Sequence, residues 1–493
     1  EPFSDCENFK FPTLIIFCCG CSLFRKTKPV FLEADYNKAK EYANFITKEE
    51  LFNNLSVLSA DSLEGRETTK PGQKKAADFI RNFFISNNIP PPPKTKYFQK
   101  FSVGISDFKR ASLVVDNDTL EIIKDFYLFG NTKDTSFSNI NVVSVGYGII
   151  DGDYNDYLNV DVKNKVVIIN EGVPESATIS KGWQSWRKKQ KLATEKGALA
   201  VITIKNDYGS SIERIAPFLL NPQMKMHKDV LAQSNMIPNF CVSQQLFNRL
   251  FKTANKVSFT VDINYLAEAE NVLGYIEGGE YKDEVLVVSA HYDHIGYDNG
   301  EICNGADDDG SGTVSLMSVA KAFIEAKKNG FTNKRSILFL AVSGEEKGLF
   351  GSRYYTENPV FPLKNTIADL NIDMVGRIDT VHTDINYIYL IGSDKISKEL
   401  HNINEMVNDK FIGIDLDYTF NSEDDPNNFY YRSDHYNFAK NNIPVIFYFS
   451  GIHRDYHKPT DDIEKINFDK LHNTAKYVFF TAWELVNREK RIK

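Results

Sequence analysis

The chain of 493 residues is poor in cysteine, carries no excess of positive charge, and has no apolar run long enough to cross a bilayer. Six cysteines over this length exclude a disulfide-scaffolded fold. Four of them (Cys6, Cys18, Cys19, Cys21) crowd the amino terminus, leaving Cys241 and Cys303 to the folded body. Lysine and arginine number 58 against 66 aspartates and glutamates, a formal charge of -8 with a pI near 5.7. A chain evolved around nucleic acid would need a dominant basic surface instead. The apolar run Phe11 to Phe24 is about fourteen residues long, short of the roughly twenty that a spanning helix requires. It fits the core of an export signal, and the cysteines at its end suggest a lipoprotein-like leader over residues 1–30, lipidated at a cysteine such as Cys21. The expected location is therefore outside the cytoplasm: periplasmic, membrane-anchored or secreted. The glycines at Gly152 and Gly278 lie in turns, not in phosphate-binding loops.

Present in quantity are the materials of large cores: 42% hydrophobic residues, with 36 Phe and 24 Tyr. Apolar spacing predicts one helix over Glu33 to Leu58 and another from Pro71, whose face is Ala76, Phe79, Ile80, Phe83 and Phe84. Four prolines (Pro90 to Pro93) close that region. From about Ile105 to Tyr265 the texture becomes short β-rich runs with one helix, Trp183 to Lys196, and no catalytic cluster. From Asn271 strands and helices alternate, including helices at Gly312 to Lys328 and Phe468 to Asn487 and a strand at Tyr387 to Ile391. Such alternation implies an α/β fold with a mixed, mostly parallel central sheet flanked by helices. The expected division is 31–104 plus 266–493 as one domain, with 105–265 inserted into it.

Active groups of such folds gather beyond the carboxyl ends of the strands. There the sequence places them. Val285 to Ala290 runs into His291-Tyr292-Asp293-His294, Ile337 to Val342 into Ser343-Gly344-Glu345-Glu346, Ala368 to Ile372 into Asp373, and Val445 to Phe449 into Gly451 to His457. An acidic loop, Asn304 to Gly312, opens a helix between the first two. Clustered carboxylates repel one another and lose hydration, so they need a compensating cation. Histidines and carboxylates around one cleft form a ligand set suited to zinc.

The motifs AHYDHIG (from Ala290), NGADDDGSG (from Asn304), SGEEKGLFGS (from Ser343), NIDMVGR (from Asn371), RSDH (from Arg432) and DYHKPTDD (from Asp455) resemble the co-catalytic di-zinc exopeptidases typified by bacterial double-zinc aminopeptidases, a group that includes glutamate carboxypeptidases. Glu64 to Ile80 resembles the helix that precedes that catalytic core, and 105–265 resembles a protease-associated (PA) domain. The resemblance implies the phosphorylase/hydrolase-like zinc peptidase fold and two Zn2+ per chain. His291 and Asp373 would hold one ion, Glu346 and His457 the other, with Asp307 bridging them and Asp293 orienting the His291 ring. Asp308 would lie beside the bridge. Glu345 would be the general base acting on a water between the ions, and Tyr430, with Tyr431 as its competitor, the oxyanion donor. Asp434 and His435 would order their loop, and His453 would be a loop residue competing with His457.

The implied activity is a zinc aminopeptidase that removes the first residue of unblocked peptides. A carboxypeptidase or dipeptidase of the same scaffold would need a cation for the substrate carboxylate, for which Arg377 and Arg432 are candidates. A glutaminyl cyclase relative should lack part of the ligand set, and a receptor-like relative would have lost it. The pocket for the first side chain is expected from Val381 to Tyr387 and Asp415 to Tyr430.

Overall fold

In the computed structural model, residues 32–128, 132–231 and 236–493 are described; the leader expected over 1–30 falls outside them. The apolar runs assemble into a nine-stranded sheet. Its strands in chain order are β1 (Phe98–Ser106), β2 (Gln223–Met226), β3 (Asn264–Ile276), β4 (Tyr281–His291), β5 (Arg335–Val342), β6 (Thr366–Ile372), β7 (Tyr387–Ile391), β8 (Asp415–Asp417) and β9 (Val445–Phe449). Their spatial order is β2-β1-β3-β5-β4-β6-β9-β7-β8. The heart, β5-β4-β6-β9, is parallel, whereas β1, β2 and β3 pair antiparallel on one side and β7 antiparallel to β9 on the other.

Strands buried on both faces read as continuous apolar runs, and β4, β5, β6 and β9 do. Alternate residues serve opposite layers. On one face Val285, Val287, Leu338 and Leu340 pack with Tyr355 and Phe438. On the other, Phe339 meets Phe323 of α2, where α1 is Pro71–Ser86, α2 is Gly312–Lys328 and α3 is Phe468–Asn487. Helix α3 covers α2 through Phe479 and Trp483, whose rings lie 4.9 and 5.7 Å from Phe323. Each such large apolar side chain contributes about 1.5–3 kcal/mol on burial. The parallel heart is thereby clamped, and four strand ends open at one edge.

A second, eight-stranded sheet is built entirely from Ala111–Val115 to Lys256–Val261, with its own core around Leu113, Phe126, Val166, Ile202, Phe240 and Phe259. The expected edges at 105 and 265 need refining. Phe98–Ser106 and Asn264–Ile276 pair with each other in the large sheet, and Gln223–Met226, from inside the insert, adds its outer edge. The helix expected over Glu33 to Leu58 is two, Tyr36–Ala43 and Lys48–Leu58. Thr47 breaks it by turning its Oγ1 to accept from the Glu50 amide (3.2 Å), an N-cap that starts a new helix. Similarly, Trp183 to Lys196 is a 3-10 turn, Lys181–Gln184, followed by a helix at Trp186–Glu195.

Candidate metal centre

His291 is the last residue of β4, Asp373 follows β6, Glu345 and Glu346 follow β5, and His457 lies in the loop after β9. The turn before α2 supplies Asp308. His291 Nε2 lies 3.4 Å from Asp308 Oδ1 and 3.6 Å from Asp373 Oδ1. On the other side, His457 Nε2 lies 3.2 Å from Asp308 Oδ2 and 3.1 Å from Glu346 Oε2. The two oxygens of one carboxylate, Asp308, thus face two separate groups of ligand-type atoms. Within the triad His291, Asp308 and Asp373, and within the triad His294, Asp308 and Glu346, the atoms lie no more than 4.8 Å apart.

Asp308, and not Asp307 as the motif suggested, occupies the shared position. Asp307 is drawn away: its Oδ1 accepts from the Gly376 amide at 2.6 Å and its Oδ2 faces His453 Nε2 at 3.3 Å. Asp308 and Asp309 have extended backbone angles (φ -100°, ψ 101° and φ -113°, ψ 51°), so consecutive side chains diverge, and a one-residue shift exchanges their surroundings. The Asp308–Asp309 peptide is cis. Asp309 serves the backbone, accepting from the amides of His291, Gly312 and Met374 at 2.9–3.1 Å.

Behind the centre stands Arg66, which the motifs did not single out. Its buried guanidinium donates to the carbonyls of Tyr292 (2.7 Å), Leu58 (2.6 Å), Asn304 (2.5 Å) and Gly305 (2.9 Å), tying the His291 loop to the Asp308 turn. The neighbouring Gly65 has φ +62°, and a Cβ there would sit 2.3 Å from the Gly296 carbonyl, so only glycine lets these loops approach. Asp461 Oδ2 accepts from the amides of Asp307 and Asp308 at 3.0 and 3.2 Å, and Ser433 Oγ donates to Asp373 Oδ2 at 2.7 Å. Asp293 stands behind His291. Its carboxylate accepts from Thr68 Oγ1 at 2.7 Å and from the Glu345 amide at 3.2 Å, while the His291 Nδ1 meets the Asp293 carbonyl at 3.1 Å.

The electrostatics call for a cation. Burial disfavours a protonated His291, yet Glu345 and Asp373 outweigh it and push its pKa well up. His457 is likewise carried to about 10: burial opposes this, but hydrogen bonding to Asp308 and Glu346 prevails. Asp308 Oδ2, His457 Nε2 and His294 Nε2 are buried without a hydrogen-bond partner. Oxygen and imidazole donors that are deprived of water and aimed at one another are satisfied by a divalent ion, so the residues fit a metal. Glu345 belongs to neither triad; burial, reinforced by Glu346 and opposed by His291, raises its pKa well above the carboxylate range.

A cleft at the centre has a polar wall of His291, Asp308, Glu345, Glu346 and Asp373, and an apolar wall of Met374, Phe429, Phe447, Phe449, Ile452 and Tyr456. Of the loops expected to shape it, Asp415 to Tyr430 contributes Phe429, whereas Val381 is 76% exposed and His382 stacks on Tyr387 outside the lining. Tyr430 is not at the cleft; its ring packs beside Tyr431, His435 and Tyr436 beneath the Lys395 ammonium. Tyr456 is the tyrosine on the cleft wall, stacked on the His457 ring with centroids 3.9 Å apart. Its position beside the candidate ligand His457 in DYHKP was the available signal. His435 is buried against Phe447, its pKa lowered by burial to about 3, and Asp434 receives the Ser352 hydroxyl; both order their loop. Arg377 is committed to Asp455 at 2.7 Å, while Arg432 is exposed at the cleft.

The chain is 26% identical over 326 residues to "Aminopeptidase YwaD" of Bacillus subtilis (strain 168), covering 64% of each chain. It is 29% identical over 210 residues to a "Probable leucine aminopeptidase" of Arthroderma benhamiae, covering 41% of this chain and 54% of that one. The match spans less than two thirds of either relative. In fold it resembles the "Aminopeptidase from Aneurinibacillus sp. strain AM-1", with a TM-score of 0.51 and 19% identity over 92% of this chain and 97% of that one. Residues 271–482, which hold every candidate ligand, match the model of Peptidase family M28.

Proposed function

We propose that the chain is a metallo-aminopeptidase holding two zinc ions, one by His291, Asp308 and Asp373 and the other by Asp308, Glu346 and His457. The observation that carries this reading is the Asp308 carboxylate shared between two buried ligand groups, with Glu345 free of both. Bound there, the ions would supply Lewis acidity to the scissile carbonyl and acidify the attacking water. Glu345, a carboxylate whose raised pKa favours proton uptake, accepts the proton of that water and returns it to the leaving amine. Burial and the neighbouring carboxylates hold the Tyr456 hydroxyl protonated, so it donates to the carbonyl oxygen as charge develops there. The wall of Phe429, Phe447, Phe449 and Ile452 receives an apolar first side chain. The substrates are peptides. The eight-stranded sheet between 111 and 261 is read as the PA-like domain, inserted into the catalytic domain that builds the nine-stranded sheet. The apolar run Phe11 to Phe24 and the cysteines closing it support export with a lipid anchor near Cys21; no described helix is long and apolar enough to cross a membrane.

Arg432 at the cleft favours one competing reading, capture of a substrate α-carboxylate. Mass-spectrometric digestion of one peptide set in free, N-acetylated and C-amidated forms separates the two. Cleavage abolished by acetylation and kept after amidation is the expected result. The reverse pattern would make the enzyme a carboxypeptidase.

A further inference from the structure

The loop that carries His291 delivers a second imidazole three residues later, and nothing assigned above uses it. His294 is completely buried. Its Nδ1 lies 2.9 Å from Glu346 Oε1 and 3.7 Å from Asp308 Oδ2, and its ring centroid is 5.7 Å from that of His457. The ring has a built seat: Gly305, at φ +55°, lets it lie so close that a Cβ there would fall 2.5 Å from His294 Cγ and Cδ2. The backbone on either side is fixed, since the His294 amide donates to the Arg66 carbonyl and Arg66 in turn holds the Gly305 carbonyl.

We infer that His294 is a metal ligand, donating Nδ1 to the ion held by Asp308, Glu346 and His457, so that this ion is enclosed by four protein side chains. The other ion, with His291, Asp308 and Asp373, would have three protein side chains. This rests on the two-metal reading above and deepens it. Asp308 Oδ2 and His457 Nε2, buried without a hydrogen-bond partner, call for an ion there, and the His294 ring nitrogen belongs to the same cluster, lying with Asp308 and Glu346 oxygens within 4.8 Å of one another. One ion among the four groups satisfies both. Closed four-ligand sets belong to tightly held zinc, and three-ligand sets with a vacancy belong to catalytic zinc, so the two halves of the centre are unequal by construction.

The test uses Co2+ as the metal probe in the full chain. Each cobalt-bound imidazole shows one exchangeable, strongly shifted ring N–H signal in the proton NMR spectrum. With two Co2+ bound per chain, the wild-type protein should show three such signals, from His291, His294 and His457, and His294→Ala should show two. Two ions with only two signals in the wild type would overturn the role of His294 and leave the two-metal reading standing. Uptake of fewer than two ions would overturn both. The wild-type count decides the matter even if His294→Ala does not fold.

Discussion

In the eight-stranded sheet, charge is paired wherever it is removed from water. Lys205 meets Glu171, and the buried Lys189 ammonium is held by the carbonyls of Asn170 and Gly172. No carboxylate oxygen among the described residues 111–261 is both buried and unpartnered. The carboxyl edge of the nine-stranded sheet is the opposite. Asp308, Glu345, Glu346 and Asp373 crowd around His291, His294 and His457, Asp309 stands behind them, and oxygens of Asp307, Asp308 and Asp461 are left buried without a hydrogen-bond partner. Both sheets have dense apolar cores, so packing does not distinguish them. Paired charge belongs to architecture, whereas unpaired buried charge marks the place where an ion and a reaction complete the structure.

The comparison can be broken most severely at Glu345. Glu345→Gln should keep metal content at the wild-type level and lower kcat about 10²- to 10⁴-fold, read by metal analysis beside steady-state kinetics; a variant with near-normal kcat would remove Glu345 from the chemistry. The insert should answer in stability instead. Phe240 is fully buried, with Phe126 and Phe259 edge-on at 5.8 and 5.4 Å. Phe240→Ala should cost about 3–5 kcal/mol in denaturant unfolding while metal per folded chain stays unchanged. Loss of metal in that variant would show the two sheets to be energetically one. The smallest effect is expected at the tyrosines: Tyr456→Phe should lower kcat about 10²- to 10³-fold, and Tyr430→Phe should leave it near wild type. Equal losses would mean that Tyr430 acts from beneath the cleft.

Much of this was legible in the sequence. The helices Gly312–Lys328 and Phe468–Asn487 and the strand Tyr387–Ile391 lie at the expected positions, because burial on one face writes its period into the chain. Strand-end placement also located His291, Glu346, Asp373 and His457, and the resemblance gave Glu345 and Asp293 their surroundings. What escaped depends on orientation, which periodicity does not encode. Asp307 and Asp308 differ by one residue in an extended turn, and only the Gly376 amide and His453 reveal which carboxylate is diverted. Tyr430 and Tyr431 were the candidates beside RSDH, whereas the tyrosine ring that turns to the cleft is Tyr456. Arg66 acts through backbone carbonyls, which leave no trace in side-chain patterns. The break at Thr47 was readable, since Thr47 and Glu50 have capping-box spacing, but the continuous apolar face concealed it.

The shared carboxylate is tested most directly by metal content per chain, measured by plasma mass spectrometry on wild type, Asp307→Asn and Asp308→Asn. Two ions in wild type and in Asp307→Asn, with both ions depleted in Asp308→Asn, is the expected outcome. Full occupancy of both sites in Asp308→Asn, or loss of both ions only in Asp307→Asn, would contradict it.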